Sequence, residues 1–180
     1  MLLLVLGYYM GGVLLDRSVA DISTEAGVGI GLGTLLGAWM VYDWLWRSAL
    51  ARSEAVATAI SFLLVVAMAY GLTRALSGRA AYMHVGAMFG TLMAANVWLR
   101  ILPAQRKMIA AATAGTTPDL ALAAQAKKRS KHNTFMVIPV VFLMISNHFP
   151  VATYGHNYNW LILAGLILAG WAAAKLIRRA

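Results

Sequence analysis

The chain has 180 residues, of which 61% are apolar and only 12% are charged, and its net charge is +9. Soluble domains carry roughly 25% charged residues. With a mean hydropathy of +0.72, the composition excludes a water-soluble globule and a disordered tail. It also excludes a nucleic-acid-binding protein, which would need a soluble basic face. The lipid bilayer is therefore the expected solvent.

The order of apolar runs predicts an all-α, polytopic transmembrane bundle in one domain, 1–180. The longest charge-free run, 132–174, exceeds the roughly 20 residues of one span, and Pro150 and Gly155 in its middle indicate a turn. We expect six hydrophobic segments: about 1–15, 26–46, 55–73, 80–102, 133–149 and 158–177.

The cations predict the topology. Lys and Arg concentrate in cytoplasmic loops. If successive loops lie alternately inside and outside, starting with the N-terminus inside, the cations predicted to lie on the inner side are Arg47, Arg52, Arg106, Lys107, Lys127, Lys128, Arg129, Lys131, Lys175, Arg178 and Arg179. The outer set is Arg17, Arg74 and Arg79. Both termini are therefore expected to face the cytoplasm, in a multi-pass protein of the bacterial inner membrane.

The long basic loop at 103–131 has helix signals of its own. Thr117 is suited to cap a helix, Pro118 to its first turn and Asp119 to the positive end of its dipole. We expect a short surface helix over 118–130, whose basic tail suits anionic lipid headgroups.

The second segment carries glycines at a spacing typical of helix packing. Gly29, Gly33 and Gly37 recur every fourth residue, and Gly27 and Gly31 do so one face over. Lipid gives helices no hydrophobic reason to associate, so small residues bring their backbones together. No nucleotide-binding GxGxxG occurs in this run.

The histidines are the candidate cofactor ligands. The chain has no cysteine, so a haem would be held without thioether attachment, by one or two imidazoles from neighbouring helices. His84 and His148 are predicted at matching depth and are the proposed iron ligands of a haem b, with His132 as the alternate. Met88 is a candidate iron ligand or haem contact, and Arg79 suits the propionates. For each histidine, a hydrogen-bonded interfacial group is the alternative interpretation.

Other polar residues are candidates for binding a substrate. Arg74 and Arg100 suit an anion, and Asn147 and His156 lie in the histidine-rich outer region. Asp43 is the one acid inside an apolar segment. It is interpreted as a partner of Arg47, four residues on, with a proton relay as the alternative.

Several long stretches resemble one family. SGRAAYMHVGAMFGTLMAANV, ILPAQRKMIAA, AKKRSKHNTFMVIPVVFLMISNHFPVATYGH and YNWLILA are similar to the membrane domain of bacterial urate hydroxylases linked to a cytochrome c, also called the urate oxidase N-terminal domain family. DRSVADIS and GTLLGAWMVYDWLWRS resemble its earlier part. The likeness covers nearly all of residues 1–177.

The resemblance implies an oxidoreductase that converts urate to 5-hydroxyisourate and sends electrons through haem c to the respiratory chain. The family pattern also has a further first helix with its own histidine and a C-terminal cytochrome c, and this sequence matches neither. A cytochrome c or other membrane subunits are therefore expected partners, in a homo- or hetero-oligomer. A haem protein that only passes electrons within a respiratory assembly is a second possibility, and the alternative to both is a non-catalytic accessory subunit of a larger membrane complex. A solute transporter is disfavoured, because we see no inverted repeat with broken helices.

Overall fold

A computed structural model describes residues 4–178 of the chain. Within that range the protein is all-α, as predicted, and no strand is found. The α-helices are α1 (Thr24–Leu45), α2 (Glu54–Ala75), α3 (Gly78–Asn96), α4 (Leu102–Thr113), α5 (Leu120–Ile145) and α6 (Asn159–Ile177). A π-helical segment, Val97–Ile101, joins α3 to α4 without a break.

The starts of the helices follow from short polar side chains. Ser23, Ser53, Ser77 and Asp119 precede α1, α2, α3 and α5, and the side-chain oxygen of each accepts a backbone N–H of the first turn. These bonds satisfy donors that have no partner inside the helix. The capping residues therefore fix where these four helices begin.

Among residues 4–178, four helical stretches are long and apolar enough to cross a membrane: Thr24–Leu45, Glu54–Ala75, Gly78–Thr113 and Asn159–Ile177. The third is a single rod of 36 residues. Six spans were predicted, so two of those predictions need correction.

The first corrected segment is 1–15. Its described part forms only a short π-helical turn, Val5–Tyr9, and Met1–Leu3 lie outside the described residues. Gly12 follows with a φ of +72°, a conformation that ends helices and favours glycine. Ser77 then holds the chain by bonding to the carbonyl oxygens of Val13 and Leu14.

The second correction concerns 103–149. The predicted surface helix at 118–130 and the fifth segment at 133–149 form one helix, α5, of 26 residues, and Asp119, not Thr117, caps it. No helix-breaking residue lies between the two parts. Pro139 lies further along, inside the same helix. The predicted loop at 103–131 is accordingly helical, except for 114–119.

Along the chain, α1, α2, the rod formed by α3 and α4, α5 and α6 alternate in direction. We call the end that holds Trp46, Glu54 and Lys175 the basic end, and the end that holds Ser77 the opposite end. The segment 5–15 lies at the opposite end and α6 finishes at the basic end. The side of the membrane on which each terminus lies, and the end that faces the cytoplasm, stay predictions.

Helix α3 is the centre of the bundle and contacts α1, α2 and α5. Gly86 faces Leu143, and the Asn133 side chain reaches the Met93 carbonyl, so the apolar half of α5 lies alongside α3. Helix α6 then packs on α5 and α2.

The glycines of α1 divide into two faces. A Cβ at Gly27 or Gly31 would collide with side chains, whereas no described residue places an atom within 4 Å of that position at Gly29, Gly33 or Gly37. Among the described residues, the face of Gly27 and Gly31 is therefore the one used for packing.

Candidate functional site

Two buried histidines define the polar regions of the bundle, and they lie at different ends. His84 is in α3 near the opposite end, and His132 is in α5 near the basic end. His84 is fully buried and His132 is 8% exposed. Their surroundings decide what each can do.

Both ring nitrogens of His84 have partners. Nδ1 lies 2.7 Å from the Ala80 carbonyl oxygen, which can only accept, so Nδ1 carries the proton. Nε2 is then free to accept a hydrogen bond from the Tyr9 hydroxyl at 3.1 Å. A Cβ at Gly31 would lie 2.6 Å from that same nitrogen. Tyr9 and Gly31 therefore close the side of His84 on which a ligand would bind.

His148 is exposed in the turn Ser146–His148 that follows α5. The adjacent Asn147 accepts a hydrogen bond from Arg79 Nε at 3.2 Å and also reaches the Met83 sulfur. The structure thus joins two predicted site residues, Arg79 and Asn147, at the start of α3. His148 is exposed beside this contact, whereas His84 is enclosed one turn deeper.

The remaining predicted residues of the opposite end are on its surface. Arg74 is exposed and lies over the Tyr70 ring, 5.2 Å from its centroid. His156 is exposed in the loop before α6, where Nδ1 accepts the Tyr158 N–H.

The basic end holds a buried polar network that we call the Tyr42 cluster, formed by Tyr42, Asn96, Arg129, His132 and Asn133. The Tyr42 hydroxyl lies 2.7 Å from His132 Nδ1 and accepts from Asn96 Nδ2 at 3.0 Å. Asn96 also donates to Asn133 at 2.9 Å. The Arg129 guanidinium lies over the Tyr42 ring, 4.9 Å from its centroid. Three helices, α1, α3 and α5, therefore meet at one tyrosine.

Asp43 extends this network toward the surface. Its carboxylate pairs with Arg129 at 2.8 Å, with Arg100 through two nitrogens, and more loosely with Arg47 at 3.5 Å. The predicted Asp43–Arg47 pair is present, but it is the most exposed of the three. Arg100, predicted to bind substrate, is engaged with Asp43.

A cavity of about 610 Å³ borders the cluster and is lined mainly by apolar side chains of α1, α2, α3, α5 and α6. His132 lines it, as do Lys131 and Lys175 near the basic end. The volume is in the range of small-molecule and cofactor sites. Met88, at the level of mid-bundle, lines it as well.

Four buried side-chain atoms in the described residues have no hydrogen-bond partner: Asn96 Oδ1, Arg129 Nη1, His132 Nε2 and Trp171 Nε1. The first three belong to the Tyr42 cluster, and Trp171 lines the cavity. Buried polar atoms are nearly always paired. Their concentration here marks the place where a ligand would supply the missing partners.

The comparisons with known proteins identify the family. The family model described as urate oxidase N-terminal matches residues 1–179. The chain belongs to the urate oxidase N-terminal family. Searches of curated proteins and of solved structures gave no match.

For a urate oxidase N-terminal chain, the predicted haem raises a question of fit. At His84 the lone pair of Nε2 faces Tyr9, and Gly31 leaves no room for a macrocycle beside it. At His132 a buried Nε2 has no partner and the residue borders the cavity. Of the two buried histidines, only His132, the alternate ligand in the sequence prediction, combines an unpaired ring nitrogen with a place on the cavity wall.

Sequence reasoning gave no site role to three members of the Tyr42 cluster. Tyr42 and Asn133 were not singled out, and Arg129 was counted as a topology cation and as part of the basic tail of the predicted surface helix. A signal was present: Arg129 and His132 lie three residues apart, on one helix face. An arginine that shares a face with a histidine, where the helix turns apolar, is a candidate for a buried role.

Proposed function

We propose that this chain takes part in the membrane-bound oxidation of urate to 5-hydroxyisourate, with a haem b in the cavity beside His132. The observation that carries the proposal is the unpaired Nε2 of a buried histidine bordering a cavity of about 610 Å³. Membership of the urate oxidase N-terminal family supports the substrate.

The residues around the cavity suit the parts of a haem. His132 would bind the iron through Nε2, in the tautomer that donates its Nδ1–H to the Tyr42 oxygen. Ligand histidines commonly hold their second nitrogen in this way. Lys175 would pair with a propionate, since ammonium groups bind carboxylates through charge-assisted hydrogen bonds, whereas Lys131 already pairs with Glu54 on the same wall of the cavity.

Met88 would contact the macrocycle and not share the iron with His132. The Asn133 side chain reaches the Met93 carbonyl, so His132 lies close to the level of Met93. Met88 lies five residues before Met93 in α3, which separates the two by about 8 Å along the helix at 1.5 Å per residue. A haem spanning both depths would touch Met88 with its apolar part.

The stoichiometry of urate oxidation determines which molecules, protons and electrons must be supplied or removed. Urate and water give 5-hydroxyisourate, two protons and two electrons. When bound, the haem would accept and pass on single electrons. Residues 1–180 contain no cysteine for a covalently attached haem c, so the two electrons would reduce two ferric c-type haems held outside these residues.

A metal in this bundle would need ligands from a cofactor. Within residues 4–178, no three His, Cys, Asp or Glu side chains lie close enough to hold a metal ion. A porphyrin supplies the equatorial ligands itself, which leaves the protein to provide one imidazole.

The absorption spectrum of the full chain, purified in detergent and titrated with hemin, tests the proposal. We expect a Soret band that His132→Ala abolishes and His84→Ala, the matched control, retains. Urate should then reduce added ferric cytochrome c in the presence of the loaded wild-type protein. No Soret band, or a band lost only in His84→Ala, would contradict the site.

A further inference from the structure

The open glycine face of α1 forms part of the cavity wall. Gly33 and Gly37 line the cavity, and no atom of the described residues comes within 4 Å of a Cβ built at either. Gly29 shares this face and is equally open, but it does not line the cavity. Glycine is a poor helix former, and in membranes it usually lets another helix approach closely. Among the described helices, none fills the space beside Gly33 and Gly37.

This space lies between α1 and α2. Polar contacts join the two helices at two levels: Thr34 Oγ1 lies 3.6 Å from the Met68 sulfur, and Trp46 Nε1 donates to Ser61 Oγ at 3.1 Å. The two levels are about 18 Å apart along α1 and about 10 Å apart along α2, at 1.5 Å per residue. Between them both helices line the cavity, and we call this gap the window.

Two large side chains show that the window opens outward. Val41 of α1 and Leu64 of α2 both line the cavity, yet they are 47% and 44% exposed. The exposed side chains around them, Leu36, Met40 and Leu63, are apolar as well. In a chain that spans a membrane, an apolar surface of this kind faces hydrocarbon, where polar side chains are costly. The cavity is therefore open to a molecule dissolved in the lipid.

The lining of the cavity changes from polar to apolar along its length. At the basic end it includes His132, which is 8% exposed and has an unpartnered Nε2, and the exposed Lys175. Toward mid-bundle the wall is formed by Gly33, Met68 and Met88. A ligand that fits this wall has a polar or anionic edge and is otherwise apolar.

We propose that Gly33 and Gly37 form a flat seat in the window for one face of a planar, lipid-soluble macrocycle that carries carboxylates on one edge. A glycine leaves the helix backbone bare, so a flat ring can lie against α1, whereas a side chain at either position would project into the space. The carboxylate edge would meet Lys175. The identity of the macrocycle as haem rests on the proposed function. A helix of another chain, the usual partner of such a face, would use Gly29 as much as Gly33 and Gly37.

Binding to the full chain in lipid nanodiscs tests the seat with two probes: hemin, followed by its Soret band, and the metal-free macrocycle protoporphyrin IX, followed by its fluorescence. Gly33→Leu and Gly37→Leu should each weaken the binding of both probes by about tenfold or more, because the ligand must displace the new side chain. Gly29→Leu is the matched control and should bind both within about twofold of the wild type. No variant should lower the melting temperature of the ligand-free chain, since the described residues leave all three Cβ positions free and leucine favours helix. If Gly33→Leu or Gly37→Leu does not fold, the other decides.

Two results would overturn the seat while haem still binds: wild-type affinity in both Gly33→Leu and Gly37→Leu, or an equal loss in Gly29→Leu, which would indicate that the face docks another helix. Protoporphyrin IX binding that Gly37→Leu weakens, without a Soret band that depends on His132, would leave the seat standing and contradict the proposed iron ligand. A Soret band that depends on His132 but not on Gly33 or Gly37 would do the reverse. If the wild type bound neither probe, both proposals would be wrong.

Discussion

His84 and His132 lie on adjacent antiparallel helices, and a tyrosine hydroxyl contacts a ring nitrogen of each. The difference is at the other nitrogen. In His84 it donates to the backbone of its own helix, whereas in His132 it is buried without a partner. The first ring is fully satisfied within the protein, and the second is not.

This difference separates a histidine ring that the protein satisfies fully from one that it does not, which burial alone fails to do. Both rings are more than nine-tenths buried. His84 is enclosed by Tyr9 and by the close approach of Gly31, so its bonds hold the segment 5–15 to the bundle. His132 borders a cavity and the charged Asp43 network, where a ligand can still add bonds. The predictions below test this contrast, beginning with the largest effect.

Asp43→Asn should produce the largest loss of stability. The substitution leaves the buried Arg129 guanidinium without its counter-charge, and removing one partner of a buried ion pair costs about 3–5 kcal/mol. Chemical denaturation in detergent micelles measures the change in the free energy of unfolding. Glu54→Gln is the control, because its partner Lys131 and Glu54 itself are 36% and 54% exposed, and such pairs contribute about 0–1 kcal/mol. Equal losses for the two variants would show that the Asp43 network is not buried.

Gly31→Ala should lower the stability of the protein by disturbing the packing around His84. The new methyl group would lie 2.6 Å from both His84 Nε2 and Tyr9 Oη, and overpacking of this kind costs about 1–3 kcal/mol. The same denaturation assay measures the loss. Gly29→Ala, on the open face of α1, should be neutral or slightly stabilising, because alanine favours helix. A harmless Gly31→Ala would mean that α1 does not approach His84 closely.

Tyr42→Phe tests the corresponding hydroxyl at the basic end. His132 Nδ1 would lose its partner and Asn96 would keep only Asn133, so we expect a loss of about 2 kcal/mol. The hemin titration provides a second measurement: without the Tyr42 oxygen to fix its tautomer, His132 should bind haem more weakly. An unchanged titration would indicate that Tyr42 does not orient His132.

The sequence was sufficient to predict the fold class, the family and most helices. A long apolar run indicates a helix that is surrounded by lipid or by other helices. The runs at 26–46 and 55–73 agree with α1 and α2 to within two residues at each end. It failed where composition and hydrogen bonding disagree. The basic stretch before His132 was predicted as a surface helix separate from the apolar segment after it, yet backbone hydrogen bonds continue from one to the other, and α5 extends from Leu120 to Ile145.

The site was harder to predict for a related reason. Matching depth in the membrane favoured His84 with His148, but depth does not reveal what encloses a side chain. The lid over His84 comes from Tyr9, 75 residues away in sequence, in a segment that looked like a span. Arg129 and Tyr42 meet only because α1 and α5 are brought together through α3. No local pattern records such contacts.

Tyr9→Phe should have the smallest effect and is the sharpest test of the contrast. The variant keeps the aromatic packing, but it removes the hydroxyl that donates to His84 Nε2, so the loss of stability should be about 1 kcal/mol. His84 would then resemble His132, with one nitrogen bonded and the other bare. Nitrogen-15 NMR of the histidine rings should show the His84 Nε2 signal moving toward that of an unbonded pyridine-like nitrogen, while the His132 signals stay unchanged. Because Gly31 still occupies the space beside the ring, His84 should gain no haem in the hemin titration. If Tyr9→Phe did bind a second haem that His84→Ala removed, the hydroxyl alone, and not the packing of α1, would be what distinguishes the two histidines.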